Sequence, residues 1–192
     1  MRKLIYVPIV HTQVDMGSMQ EAVESEYIKR YGKAKWARHI KAIDKMWEGI
    51  NKKLKVLKLD YKRVKIYQDG LPVCGMELEI VKEIANRGGK NHKIVLDLLG
   101  KGATLEGTED TNLLLSEYNY IKTTIQEGKD SRGKSLENLK EKGKDILASR
   151  DRFIAKRINE TLNDGWTGIC FIGAGHKVDK YLPKDIKVAY LI

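Results

Sequence analysis

The feature that most constrains this chain is an alternation. Runs of strand-type residues, KLIYVPIV (3–10), RVKIYQ (63–68), ATLEGTED (103–110), TGICFIG (167–173) and IKVAYLI (186–192), are separated by stretches with helical spacing. Strands interleaved with helices point to an α/β protein with a mostly parallel central sheet flanked by helices. At 192 residues the chain is expected to be one domain, 1–192, large enough for a substantial core.

Such a sheet has a preferred place for chemistry. Ligands bind beyond the carboxyl ends of parallel strands. The residues just past the four internal strand ends are His11, Asp69, Glu109 with Asp110, and Gly173 to His176. Two imidazoles and several carboxylates are therefore expected at one edge of the sheet. The stretch ICFIGAGH is the sharpest signal, because a buried strand ends on Gly173 and Gly175 and then presents His176. Glycines there allow close approach of the backbone to a ligand.

Imidazole nitrogen with carboxylate oxygen suits a divalent transition metal such as zinc, manganese or cobalt. His11, His176, Asp69 and Glu109 are the candidate ligands. The same two histidines equally suit acid and base roles without a metal. Asp69 also reads as the start of a turn with Gly70, and Glu109 or Asp110 as a helix cap. His39, on a lysine-rich helix, and His92, near a helix start, read as structural. Arg150 projects from the apolar stripe that carries Ile154 and Ile158. Burying its guanidinium requires a carboxylate partner or an anionic ligand.

The helices follow from their spacing and caps. Ser18-Met19-Gln20-Glu21 has capping-box spacing and opens a helix to about Arg30. Trp36, Ile40, Ile43, Trp47 and Ile50 form one stripe with lysines opposite. MELEIVKEIANR ends at Gly88-Gly89, residues 91–99 form a short helix, and NLLLSEYNYIKTTI another. After the polar break GKDSRGKS a long helix is expected to about Leu162, with Leu136, Leu139, Ile146, Leu147, Ile154, Ile158 and Leu162 inward.

Charge is concentrated. The formal net charge is +10, yet Lys29 to Lys65 alone holds fourteen Lys or Arg against three acids, a balance of +11. This covers the basic helical segment at about 32–60. It reads either as a lysine-coated surface helix or as a patch for nucleic acid, anionic membrane or an acidic protein. No aromatic residue is expected at an exposed position within it. The two cysteines, Cys74 and Cys170, lie far apart, so neither a disulfide framework nor a Cys-rich zinc site is expected. The apolar run Leu4 to Val10 is too short to span a membrane and lacks a cleavage site, so no signal peptide is expected and the cytoplasm is the expected location. A lone Gly-Ala-Gly without a third glycine does not make a dinucleotide fingerprint, and no P-loop, H-E-x-x-H or G-x-S-x-G motif is present.

SRDRFIAKRINETLNDGWTGICFIGAGHKVDKYLP, 149–183, resembles the C-terminal signature of the TraB/Tiki-like branch of the erythromycin esterase/ChaN-like superfamily. In that family a helix carrying an E-R-D/N-x-x-M-A-type run precedes a strand ending in a G-x-x-H motif. Arg150, Asp151 and Ala155 stand in the helix here, and Gly173-Ala174-Gly175-His176 matches the motif. Pro8-Ile9-Val10-His11 keeps the family's first-strand histidine without its glycine. Asp69 stands near the family's second-strand glutamate, and EGTED (106–110) is similar to its turn after the third strand. The resemblance implies an erythromycin esterase/ChaN-like fold and a metal-dependent hydrolase of a peptide or ester bond. In that reading His11 and His176 are ligands or acid and base, and Asp69 and Glu109 are ligands or the base. Arg150 orients an acid or stabilises developing charge, and Gly173 and Gly175 line the site. The alternatives are a binding or regulatory module that uses 29–65 for an anionic partner, and a small-ligand sensor at the strand ends.

Overall fold

The computed structural model describes residues 1–10, 17, 20–127 and 134–191. Five strands form one sheet: β1 (Arg2–Ile9), β2 (Val64–Gln68), β3 (Thr104–Glu106), β4 (Thr167–Gly173) and β5 (Ile186–Tyr190). Their order is β3-β2-β4-β1-β5, and every pairing is parallel. The helices are α1 (Gln20–Tyr31), α2 (Lys33–Val56), α3 (Glu77–Asn86), α4 (Lys90–Gly100), α5 (Thr111–Glu127) and α6 (Lys134–Thr161).

The pleat divides the core. Val7, Ile9, Val64, Ile66, Ile169 and Phe171 face α2, α3 and α4, where Ile43, Trp47, Ile50, Leu54, Val81 and Val95 are buried. Leu4, Tyr6, Tyr67, Cys170 and Ile172 face the other way, onto Ile154, Ala155, Ile158 and Leu162 of α6. Period-two alternation in the strands and a three-to-four spacing in the helices produce this division. Gly168 is required where α6 meets the sheet: a Cβ there would lie 2.6 Å from Leu4 Cδ1. Burying a side chain such as Ile158 contributes about 1.5–3 kcal/mol.

Two helical stripes break partway. In α2 the buried positions are Ile43, Trp47, Ile50 and Leu54, while Trp36 and Ile40 are only half-buried. In α6 Leu139, Ile146 and Leu147 are half-buried, and burial is complete only from Arg150 onward. The side chain of Leu136 lies outside the description. The first half of α2 pairs with α1, and the first half of α6 pairs with α5, as two helical hairpins reaching beyond the sheet. Neither α1 nor α5 buries a described residue, because only the sheet-proximal turns of their partners reach the core.

Helix ends decide one alternative the sequence left open. Asp110, not Glu109, caps α5, since its Oδ1 accepts the N–H groups of Asn112 and Leu113 at 2.8 and 3.0 Å. Ser18 and Met19 of the capping box lie outside the described residues. Cys74 and Cys170 are both free thiols. Among the described residues no helix is long and apolar enough to cross a membrane.

Candidate active site at the strand ends

Parallel pairing sends the carboxyl ends of β1, β2 and β4 to one edge. Asp69 follows β2 and continues its pairing, its N–H donating to Phe171 O at 2.9 Å. The turn at Gly70 needs a positive φ, 76°, which glycine adopts without strain. Asp69 therefore begins a turn and also serves the site. Residues 107–109 are pinned beside this turn. The Thr108 and Glu109 N–H groups donate to Leu71 O at 2.9 and 3.0 Å, and Val73 N–H donates to Glu109 O at 2.9 Å. This fixes Glu109, three residues past β3, against the end of β2.

Arg150 is the hub. Its NH2 nitrogen donates to Asp69 Oδ1 at 2.7 Å and to Glu109 Oε1, its Nε donates to Glu109 Oε2 at 3.0 Å, and its NH1 donates to Glu117 Oε1 at 2.5 Å. Arg150, Asp69 and Glu109 are all buried. Three carboxylates around one guanidinium explain how the charge is tolerated inside the protein. The strand-end acids are thus the partners that the buried arginine demands. Burial opposes the Arg150 charge, but the Glu109 and Asp69 carboxylates more than offset it and hold the guanidinium protonated. Burial pushes Glu109 above the ordinary carboxylate range despite the Arg150 fork.

The second half of the site forms where β4 ends. Gly173 N–H donates to Asp69 Oδ2 at 2.7 Å. A turn closed by His176 N–H to Gly173 O, 2.9 Å, brings the imidazole back over the sheet edge. His176 Nδ1 lies 2.6 Å from Asp151 Oδ1, and Asp151 Oδ2 accepts the Lys177 N–H at 2.9 Å. Its Nε2 faces Asp69 Oδ2 at 3.6 Å. Burial alone would lower the His176 pKa, but the Asp151 bond and the Asp69 charge outweigh it and hold it above the ordinary 6.5.

Asp69, Glu109 and His176 each offer a ligand atom, and these atoms all lie within 4.8 Å of one another. Asp69 and His176, with Gly70 and Arg150, form the floor of a cavity of about 720 Å³, and Glu109 lies buried behind them. Ile9 and Val10 at the end of β1, Gly173, Ala174 and Gly175, Val23 and His39 on the first hairpin, and Leu114, Glu117, Tyr118, Ile121 and Leu147 on the second complete its lining. Gly175 leaves open space where a side chain would stand, with nothing within 4 Å of an added Cβ.

No family model matches the chain, and no curated protein or solved structure matches it either. The chemistry rests on the residues themselves.

Five of the six candidate side chains and glycines past the strand ends come together: Asp69, Glu109, His176, Gly173 and Gly175, joined by Arg150 from α6. The sixth, His11, lies outside the described residues; its neighbour Val10 is on the cavity lining. Three participants escaped the sequence reading. Asp151 orients His176; the sequence reading placed it in the helix run of the resemblance but gave it no role. Glu117 completes the arginine cluster and carries no motif. His39, read as structural, lies on the cavity wall, stacked on Tyr27 with ring centroids 5.4 Å apart. His92 is buried in α4, in keeping with a structural role.

Proposed function

We propose that the chain is a hydrolase of a peptide or ester bond, working at this strand-end cavity with a divalent transition metal. The observation that carries the reading is the approach of His176 Nε2 to Asp69 Oδ2. With Nδ1–H donated to Asp151, Nε2 keeps its lone pair, and it meets a carboxylate oxygen across 3.6 Å. Two electron-pair donors so placed are complementary to a cation or a shared proton. The donor set fits a metal of the zinc, manganese or cobalt class, being borderline nitrogen with hard oxygen. A histidine held by a carboxylate through its other nitrogen is the usual support for a metal-binding imidazole. Asp69 Oδ2 and His176 Nε2 are the facing ligand atoms. Glu109 is held in the Arg150 fork, so it is the third and weaker ligand.

When bound, the metal polarises a carbonyl and lowers the pKa of water toward ~7. The chain's own groups account for the rest. Asp151 fixes the His176 tautomer and ring angle. His176 Nε2, when not ligated, takes a proton at the cavity floor. Arg150 balances Asp69 and Glu109 and places positive charge behind the position where a carbonyl oxygen becomes negative. His11, if it joins these groups, supplies a further nitrogen. The resemblance to TraB/Tiki-like proteins supports the same reading, and with it the narrower erythromycin esterase/ChaN-like fold.

The test is metal analysis of protein purified without added metal, with turnover of a panel of esters and peptides, for the wild type and for His11→Ala, His176→Ala and Asp69→Asn. Metal content and turnover that are unchanged in His176→Ala and Asp69→Asn would overturn the proposal.

A second reading, binding of an anionic partner, has its own observation. The first hairpin carries Tyr27, Tyr31, Trp36 and His39 as one ring cluster, with Tyr31 48% exposed and the Lys35 ammonium 5.6 Å from its ring centroid. Aromatic residues are therefore interleaved with the lysines at the surface, contrary to the sequence expectation, because this half of α2 has no sheet to cover it. Such a surface suits a nucleic-acid strand. Retention on nucleic acid that is insensitive to salt, or unchanged by reversing Lys33, Lys35 and Arg38, would remove this reading.

A further inference from the structure

We infer that the cavity selects a substrate with an apolar body and an uncharged acyl group at its reacting end: a small neutral ester or amide of an aliphatic acid. The inference rests on the proposed function for the identity of the reacting end and goes beyond it in naming the substrate class. Two independent observations carry it.

The first is the division of the walls. Away from the sheet edge the cavity is faced by Val23 of α1, Leu114 and Ile121 of α5, and Leu147 of α6. Leu114 and Ile121 are seven residues apart and so share one face of α5. These side chains are half-buried, although they stand on helices that bury no described residue or only their far turns. Their apolar surface is directed into the space between the hairpins. A volume of about 720 Å³ is that of an ordinary small-molecule site, far larger than a water or a single ion requires. An apolar body gains from filling it, by about 25 cal/mol for each Å² removed from water.

The second is the sign of the floor. Asp69 and Glu117 line the cavity, and Glu109 and Asp151 lie directly behind it, so four carboxyl groups are gathered around one guanidinium and one imidazole. A phosphate or carboxylate brought to this floor meets repulsion, and a carbonyl dipole does not. Nucleotides, phosphorylated sugars and free fatty acids are excluded by charge, and underivatised sugars gain nothing from the walls.

The experiment uses the full chain and the neutral solvatochromic dye Nile red as probe. Its displacement is followed with octanamide, octanoate and acetamide. Octanamide is expected to displace the dye at a concentration at least tenfold below octanoate, which has the same chain with a charge, and below acetamide, which has the same head without a body. Ile121→Gln and Leu147→Asn, at half-buried positions outside the core, are expected to weaken both dye binding and displacement at least fivefold. Equal displacement by octanoate, equal displacement by acetamide, or wall variants indistinguishable from wild type would each overturn the inference, the first two without any substitution. Turnover is scored separately on 4-methylumbelliferyl acetate, butyrate and octanoate. Displacement as described with no turnover removes the hydrolase proposal and leaves this site standing. Turnover indifferent to chain length removes this inference alone.

Discussion

His176 Nδ1 and Asp151 Oδ1 lie 2.6 Å apart, joining the turn after β4 to the middle of α6. The contact fixes which imidazole nitrogen carries the proton and which faces Asp69. Asp151→Asn keeps the shape and loses the charge, so His176 keeps its place but not its polarisation. On the proposed function this lowers metal affinity or kcat/KM by about 10- to 100-fold, with the fold retained. Titration of metal into chelator-treated wild type and variant checks it.

Arg150 is bonded to Asp69, Glu109 and Glu117 together. Arg150→Met removes the guanidinium that Asp69 and Glu109 share in the interior, and destabilises the chain by about 3–5 kcal/mol. Arg150→Lys does not restore it, because an ammonium cannot reproduce the fork that reaches Asp69, Glu109 and Glu117 together. Denaturant midpoints measure both. Ile158→Ala, fully buried under the sheet in α6, is the apolar control and costs about 2–5 kcal/mol through the cavity it leaves.

The protonation of His176 couples the site to stability. Its folded-state pKa is raised above the ordinary 6.5, so the folded chain holds the proton more tightly than the unfolded chain. That contribution is full below 6.5 and is lost as pH rises through the raised folded value. Glu109, also raised, acts in the same direction from about its ordinary 4.5 upward. The melting temperature of metal-free protein is therefore expected to fall as pH rises from the acid side of neutrality, and His176→Asn to flatten the slope above 6.5. Turnover moves oppositely, rising with pH, because Nε2 must be unprotonated to serve as base or ligand. Differential scanning calorimetry and a pH–rate profile read the two trends.

A metal that binds only the folded chain raises its stability by mass action. At about one hundred times its dissociation constant, zinc, manganese or cobalt adds about 2.7 kcal/mol. Thermal shift with and without chelator measures it. The increment is expected to vanish in Asp69→Asn and His176→Ala, and to shrink without vanishing in Glu109→Gln, since that carboxylate is held by Arg150.

Much of the site was legible because a parallel sheet has a directional rule. Given that β2 and β4 end at Gln68 and Gly173, Asp69 and His176 must lie at the same edge, whatever packs around them. Arg150 was legible as a buried cation in need of acids, since an apolar stripe at four-residue spacing carried it inward. Asp151 was not, because an acid on a charged helix looks like any other until the turn after β4 brings His176 back to it. Glu117 and His39 were hidden for the same reason: each reaches the cavity from a hairpin whose angle to the sheet is set by packing over distances that local patterning does not encode. Trp36, in the aromatic ring cluster beside the turn of the first hairpin, was read as part of one inward stripe, because spacing in α2 does not reveal where the sheet beneath it ends.

By itself the sequence determined the element types, the parallel sense of the sheet and the edge at which its polar strand-end residues collect, because these depend on local periodicity and on crossover helices between neighbouring strands. Only the tertiary structure decided which acid serves which cation, which imidazole nitrogen faces Asp69, and that two helical hairpins enclose apolar space above a charged floor. Those depend on distances across the fold between residues 25 to 104 positions apart, such as His176 to Asp151 and Gly173 to Asp69, which no local pattern fixes.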